Sequence, residues 1–372
     1  MPLYIDFHKL NFLPTEEELR KGHELDLEVQ EEYRVRFQQF WFNKNSSTVF
    51  CLIEAPNAEA IMHCHWAGTG DTPCNIQEVE PLYLRLFMGE PGALKHDLTF
   101  TIDGKVDPAN RTLLLIMLSD AVPTKGNATL RLRFTPPLQL KEMIIDILSR
   151  FKGRFVEQST QNSLVGVFDS PVNTLSCAED LKDFFKRYAK ENDLDLGFRM
   201  ALHSGQPLTN EGGFFEEAIK QTKRLCIISQ PQQIIVSSYL KNQLETETEA
   251  TMLASSPSTI KVLSEPEEEF LHHLFESIEQ NLSQESFNVN MLSTLIGISR
   301  PQLYRKTTSL TGRSPNHFIK DLRMQKALSL LKSRKGNISE IAMEVGYSNP
   351  SYFSKLFYES FGHTPSSMNA TS

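Results

Sequence analysis

The feature that most limits how this 372-residue chain can fold is a pattern that occurs twice near its end. In the first copy, Leu292, Leu295 and Ile296 form a short apolar stripe and Gly297 permits a tight turn. Ser299 then opens a second helix, with Gln302 three residues on as its capping-box partner. Pro301 falls in the first turn, where a missing N–H costs nothing. In the second copy, Asn337 and Glu340 cap a helix whose stripe is Ile338, Ile341, Ala342 and Val345, and Gly346 turns the chain. Asn349 caps the next helix, with Pro350 at its first position and Phe353, Phe357 and Phe361 along its inner face. Between the copies, Phe318 to Ser333 reads as one amphipathic helix, about 24 Å long at ~1.5 Å per residue. Two helix-turn-helix units on such a spacer can set two outer helices into successive major grooves of double-stranded DNA, about 34 Å apart.

The formal net charge of −8 argues against a polyanion partner only until it is divided. Residues 283–372 carry 11 Lys/Arg and 5 Asp/Glu, a net of +6, and the remainder carries 27 and 41, a net of −14. A basic end on an acidic body suits phosphate neutralisation by that end alone. No run of about 18 apolar residues exists, so no membrane span is expected. The first ten residues lack the basic-then-apolar form of a signal peptide. Five scattered cysteines read as reduced thiols, which suits a cytoplasmic chain.

The segments SRPQLYRKTTSLTGRSPNHFIKDLRMQKALSLL and NISEIAMEVGYSNPSYFSKLFYESFGHTPSSM resemble the DNA-binding domain of the AraC/XylS family of transcription regulators. The resemblance runs from Phe270 to Met368 and includes Arg323, Ala327 and the closing Phe361-Gly-x-x-Pro365. It implies sequence-specific transcription control, of either sign, by a pair of recognition helices. The base-reading candidates are Ser299, Arg300, Gln302 and Arg305 on the first, with Lys306 toward phosphate. On the second they are Asn349, Ser351, Tyr352, Ser354 and Lys355. Arg pairs bidentately with guanine, and Asn or Gln with adenine. Ser299 and Asn349 are expected to act first as caps.

The middle of the chain reads as an α+β unit around one sheet. Thr112 to Leu118 is a solid apolar run suited to a central strand. Leu181, Phe184, Phe185 and Tyr188 mark an amphipathic helix, and Leu196, Phe198, Met200 and Leu202 alternate as in a half-buried strand. GRFVEQSTQNSLVGVFDSP, GFRMALHSGQPL and FFEEAIKQTKRLCIISQPQQIIVSS resemble the class III nucleotide cyclase domain. That family needs two metal-binding aspartates. The resemblance places the first on Asp120 and the second on Asn162, preceded by Gln161. The base-selecting Lys falls on Gln158 and its Asp partner on Gly213. The transition-state Asn falls on Lys220, and its Arg is retained as Arg224. With only Asp120 and Arg224 kept, it implies a non-catalytic relative able to bind a nucleotide or to dimerise. An active cyclase joined to a DNA-binding module is the rival reading.

The first block follows the order β-α-β-β-α-β, the ferredoxin-like arrangement. Leu3, Ile5 and Phe7 alternate, and Thr15 with Glu18 forms a capping box. Two strands flank the turn Asn43-Lys44-Asn45, and Phe40, Trp41 and Phe42 are core aromatics. MPLYIDFHKL, the His23–Asp26 pair, VRFQQFWFN and VFCLIEAPNAEA resemble a small ferredoxin-like family that includes nickel-binding bacterial proteins. The resemblance implies His8, His23 and His65 as ligands, with Thr69 where the family has a further His. Imidazole suits Ni²⁺ or Zn²⁺. His63, Cys64, His65 and Cys74 form a rival zinc set.

The expected organisation is therefore three units: a ferredoxin-like domain over 1–82, a linker over 83–110, and a cyclase-like α+β domain over 111–245. A second linker over 246–265 leads to an all-helical double helix-turn-helix domain over 266–372. The whole reads as a non-enzymatic DNA-binding regulator, working as a homodimer, with upstream domains that answer to a metal ion, a nucleotide or another small effector. A nickel- or zinc-binding metal-response protein is the remaining alternative.

Overall fold

The computed structural model describes residues 1–120, 136–157, 163–246 and 260–370. In the first block, β1 (Leu3–Lys9), α1 (Glu16–Val29), β2 (Arg36–Asn43), β3 (Thr48–Glu54), α2 (Ala58–Gly68) and β4 (Asn75–Glu78) follow the expected order. The strands lie β4-β1-β3-β2 and pair antiparallel. Both halves of the Thr15–Glu18 capping box are formed at α1. Phe40, Trp41 and Phe42 are core residues. A Cβ at Gly68 would lie 2.9 Å from Asp26 Cα, so this glycine lets α2 close onto α1.

The span read as a linker, 83–110, is folded. It holds most of α3 (Pro81–Met88) and a hairpin of β5 (Ala93–Lys95) and β6 (Leu98–Phe100). The hairpin joins the first sheet through β2, giving the order β4-β1-β3-β2-β6-β5. His96 and Asp97 at its tip both have positive φ. The second expected linker also contributes to the fold: β12 (Ile260–Val262) belongs to the middle sheet, while 247–259 lie outside the described residues.

The middle sheet runs β12-β11-β10-β7-β9-β8. Its strands are β7 (Arg111–Asp120), β8 (Arg154–Val156), β9 (Ser163–Phe168), β10 (Leu196–Gly205) and β11 (Gln233–Val236), with β12. The helices are α4 (Leu138–Arg150), α5 (Pro171–Glu191), α6 (Glu216–Ile228) and α7 (Ser238–Thr246). The apolar run in β7 is central and buried on both faces. Leu114, Ile116 and Leu118 pack with residues of α4, α5 and α7. Leu113 and Leu115 share a core with residues of the first block, α6 and the C-terminal helices.

The first two blocks are tied by polar contacts as well. At the C-terminus of α3, Arg154 Nε donates to the Leu86 carbonyl at 2.8 Å and Nη2 to Phe87 at 3.0 Å. Arg111 Nη2 donates to Met88 at 2.8 Å. The orphan carbonyls of one helix are thus closed by guanidinium groups of the next unit, and the α3 dipole favours cations there.

The third block is all helical: α8 (Glu265–Asn281), α9 (Val289–Ile296), α10 (Arg300–Thr311), α11 (Pro315–Lys332), α12 (Ile338–Glu344), α13 (Pro350–Phe361) and α14 (Pro365–Ala370). Gly297 and Gly346 sit at the two turns with φ of 75° and 79°. Among the described residues, no helix is long and apolar enough to cross a membrane.

Candidate functional site

Two groups of side chains stand apart from ordinary core and surface. The first lies in the N-terminal block. Strand alternation puts Asp6 and His8 on the same face of β1. The β1–β3 register sets Asp6 opposite Cys51, whose N–H donates to Asp6 Oδ1 at 3.0 Å. From above this face, α2 contributes His65 and α1 contributes Asp26. His65 Nε2 is 2.8 Å from Asp6 Oδ2, and its Nδ1 is 2.9 Å from Asp26 Oδ2. His8 Nε2 lies 3.5 Å from Asp6 Oδ2, and its Nδ1 3.6 Å from Asp71 Oδ2.

One ligand atom each from Asp6, His8, Cys51 and His65 falls within 4.8 Å of the others, and all four residues are buried. His8, Cys51 and His65 line a cavity of about 280 Å³, together with Asp26 and Asp71. His8 Nε2 and Asp26 Oδ1 are buried without a hydrogen-bond partner among the described residues. Burial alone would lower the His65 pKa, but the Asp6 and Asp26 carboxylates reverse this and raise it to about 10. His8 likewise reaches about 9, with Asp6 outweighing burial. Asp6 is held far below the usual carboxylate range, where the two imidazoles overcome burial. Burial, then Asp6 and Asp26, pushes the Cys51 thiol far up. Protons therefore supply the cationic charge that this carboxylate-centred pocket needs. The O, N and S donors fit a first-row divalent ion, which must displace those protons to bind. On binding, the Asp26 contact with His65 has the form of an outer carboxylate that orients a histidine ligand.

The structure sorts the implied ligands. His8 and His65 come together. His23 lines the same cavity but is not in the four-residue cluster: its Nε2 lies 3.0 Å from Asp97 Oδ2 in the β5–β6 turn. The rival set is not assembled. Cys64 Sγ points to the Asp26 carbonyl at 3.8 Å, His63 lies against Tyr33, and Cys74 is exposed. Sequence reading missed Asp6 and Cys51. The visible signal was an Asp two residues before His8 in an alternating strand. Cys51 needed the β1–β3 register.

The second group lies on the two outer helices, α10 and α13. Arg300, Arg305, Lys306, Ser351, Tyr352 and Lys355 are exposed, and Ser354 is half-buried. The caps claim other candidates. The Ser299 N–H and Oγ both donate to Gln302 Oε1, at 3.1 and 3.0 Å, so the Gln302 carbonyl is occupied. Asn349 Oδ1 accepts from the Ser351 and Tyr352 N–H groups at 2.9 and 3.0 Å. Lys306 Nζ sits 5.1 Å from the centre of the Phe270 ring, which draws it toward α8. Exposed Tyr304 and Tyr358, which sequence reading passed over, accompany the basic residues. Between the units, buried Arg323 of α11 donates to the carbonyls of Leu282 and Gln284 and lies over the Tyr347 ring. One side chain thus joins the end of α8, the spacer helix and the second turn.

Of the candidate nucleotide contacts, Arg224, Lys220 and Gly213 lie among the described residues. Buried Arg224 Nη2 pairs with Glu276 Oε1 at 2.7 Å and with Glu279 Oε2 at 2.5 Å, both on α8. Lys220 Nζ joins Glu276 at 3.0 Å. The expectation that Arg224 faces a nucleotide is corrected accordingly: its positive charge is already neutralised by the C-terminal block. Gln158, Gln161, Asn162 and the Asp120 side chain lie outside the described residues.

Comparison with known proteins bears on both ends of the chain. Residues 292–371 match the family model described as a helix-turn-helix domain, and residues 4–79 match that of the nickel responsive protein SCO4226-like. Among curated proteins, the chain is 40% identical over 111 residues to histidine kinase P4 of Formosa agariphila. That stretch covers 30% of this chain and 8% of the kinase. The chain is also 30% identical over 95 residues to the HTH-type transcriptional regulator MtrA of Neisseria gonorrhoeae, covering 26% of this chain and 31% of MtrA. It therefore spans less than a third of either relative. The crystal structure of SCO4226 from Streptomyces coelicolor aligns with 21% of this chain and 94% of its own, at 34% identity and a TM-score of 0.20. The last block is thus similar to AraC-type helix-turn-helix domains, and the first to a nickel-responsive family.

Proposed function

We propose that this chain is a sequence-specific DNA-binding transcription regulator of AraC type whose N-terminal block senses Ni²⁺. The observation that carries the reading is the pair of capped helices, α10 and α13, each with exposed basic side chains, in the segment whose charge is +6. Arg300 and Arg305 are the candidates for base contacts on α10, and Ser351 and Tyr352 on α13, with Lys355 set toward phosphate. Ser299, Gln302 and Asn349 fix where those helices begin. The test is selection of bound genomic fragments by the purified chain, with and without Ni²⁺. Enrichment of one motif supports the reading; recovery of random fragments under both conditions refutes it.

In the first block, Asp6, His8, Cys51 and His65 would hold the ion. A bound divalent cation there supplies charge and coordination geometry. The chain's part is to place His65 between α2, β1 and α1, so that a change at the pocket bears on both helices. Zn²⁺ is the comparison ion in the same test.

The middle block is a non-catalytic relative of class III cyclases in this reading. The neutral residues at the Asn162 and Gln158 positions and the engagement of Arg224 by Glu276 and Glu279 support it. Homodimerisation is part of the proposal and is read by sedimentation equilibrium. Cyclic nucleotide formation from ATP or GTP with Mn²⁺, abolished by Asp120→Ala, would overturn the non-catalytic reading.

A further inference from the structure

A cavity of about 270 Å³ lies where the middle block meets α8. Its apolar floor is Leu225 and Ile228 from α6 with Leu271 and Phe275 from α8. Arg224 and His203 also line it, and each carries a buried nitrogen, Nη1 and Nδ1, with no hydrogen-bond partner among the described residues. Glu268 and Glu269 line the side belonging to α8.

The charges around this cavity do not balance. Arg224 and Lys220 are matched by Glu276 and Glu279. Burial holds His203 at a pKa of about 4, so it is neutral at physiological pH. Glu268 accepts from the Ser238 N–H and Oγ, at 2.8 and 2.6 Å, and pairs with no cation among the described residues. Glu269 is exposed and pairs with no cation among the described residues. Two carboxylates thus stand over an apolar floor with no counter-charge. An anion is repelled here, whereas an organic cation with an apolar body satisfies both walls.

We propose that this cavity is a binding site for a small amine: an ammonium group set toward Glu268 and Glu269, an apolar body between Leu225, Ile228, Leu271 and Phe275, and a hydrogen-bonding oxygen within reach of Arg224 or His203. Because one wall is α8, which leads directly into the first helix-turn-helix unit, occupancy changes the restraint on that helix. Binding is read directly, so the outcome is separate from whether the C-terminal block binds DNA.

The test uses the full chain and three probes that share a phenol body: tyramine, 4-ethylphenol and 4-hydroxyphenylacetate. Calorimetry is expected to show saturable one-to-one binding of tyramine, with the carboxylate probe weaker by at least about tenfold. Glu269 is exposed, so Glu269→Gln and Glu269→Lys preserve the fold. They should weaken tyramine about threefold and more than about tenfold, respectively. His272→Trp, at the cavity rim, should obstruct entry and lower affinity for tyramine and 4-ethylphenol alike. The proposal is overturned if no probe saturates, if the three bind equally, if the carboxylate binds best, or if tyramine affinity is unchanged by Glu269→Lys.

Discussion

His65 sits between two carboxylates from different elements, Asp6 on a strand and Asp26 on a helix. Removing Asp26 leaves the ligand in place but frees its ring to turn. Asp26→Asn should therefore weaken Ni²⁺ binding by about 10–100-fold, as loss of an outer partner does. His65→Ala should abolish binding. His23→Ala should leave it nearly unchanged, because His23 is committed to Asp97. Equilibrium dialysis measures all three, and equal losses for His23→Ala and His65→Ala would refute the assignment. On α10, Arg305→Ala should cost about 1–3 kcal/mol and relax preference at one base position. Lys355→Ala should instead reduce the salt slope by about 1. Gln302→Ala should act through the cap, lowering stability by about 0.5–2 kcal/mol without altering sequence preference. Binding isotherms across salt and thermal unfolding separate the three. Sequence pattern revealed the residues that act locally, such as the caps Ser299 and Asn349. It did not reveal Cys51, or that Asp26 would face His65 rather than serve only beside His23, because these roles depend on a strand register and on helix packing around Gly68.

Among elements, α8 and the second turn are the most exposed to test. Gly346 has φ of 79°, and a Cβ there would lie 2.5 Å from the Leu282 carbonyl and 2.7 Å from Arg323 Nη2. Gly346→Ala should destabilise the chain by more than about 1 kcal/mol, read as a lower unfolding midpoint. The contact between α6 and α8 is acid-sensitive. Hydrogen bonding from Arg224, with Lys220 adding to it, lowers Glu276 from 4.5 to about 2. A carboxylate held below its unfolded value stabilises the fold above the unfolded pKa, and that contribution fades as pH falls toward the folded one. The α8 amides should thus exchange hydrogen faster as pH drops from 4.5 toward 2, beyond the intrinsic pH effect. Glu276→Gln should remove this extra dependence, and its persistence in the variant would assign it elsewhere. The helix-turn-helix elements were legible because caps, turns and stripes are local signals. The β5–β6 hairpin was not. Three-residue strands carry almost no periodicity, and this pair is defined by its attachment to β2, far away in sequence.

Across the whole molecule, the boundaries between blocks are sealed rather than loose. Arg154 and Arg111 close the end of α3, Asn75 donates to the Thr209 and Gly212 carbonyls, and one apolar core runs from Ile5 to Leu322. Arg154→Met should leave the α3 carbonyls unsatisfied at a cost of about 1–3 kcal/mol. It should also separate the unfolding of the first block from that of the second; one unchanged transition in calorimetry would show that the apolar core alone couples them. The helix-turn-helix block at the end of the chain was legible from its motifs and charge, but this coupling was not, because the contacts join residues 23 to 137 positions apart. The tie at Arg323 has a consequence for genome searches. It holds α11 to both neighbouring units, so the two reading heads keep one phase and one separation. On the proposed function, a promoter site should show two short conserved words about one helical turn apart, ~10–10.5 bp from centre to centre. Inserting half a turn of DNA between them should silence the site, although every contacted base remains.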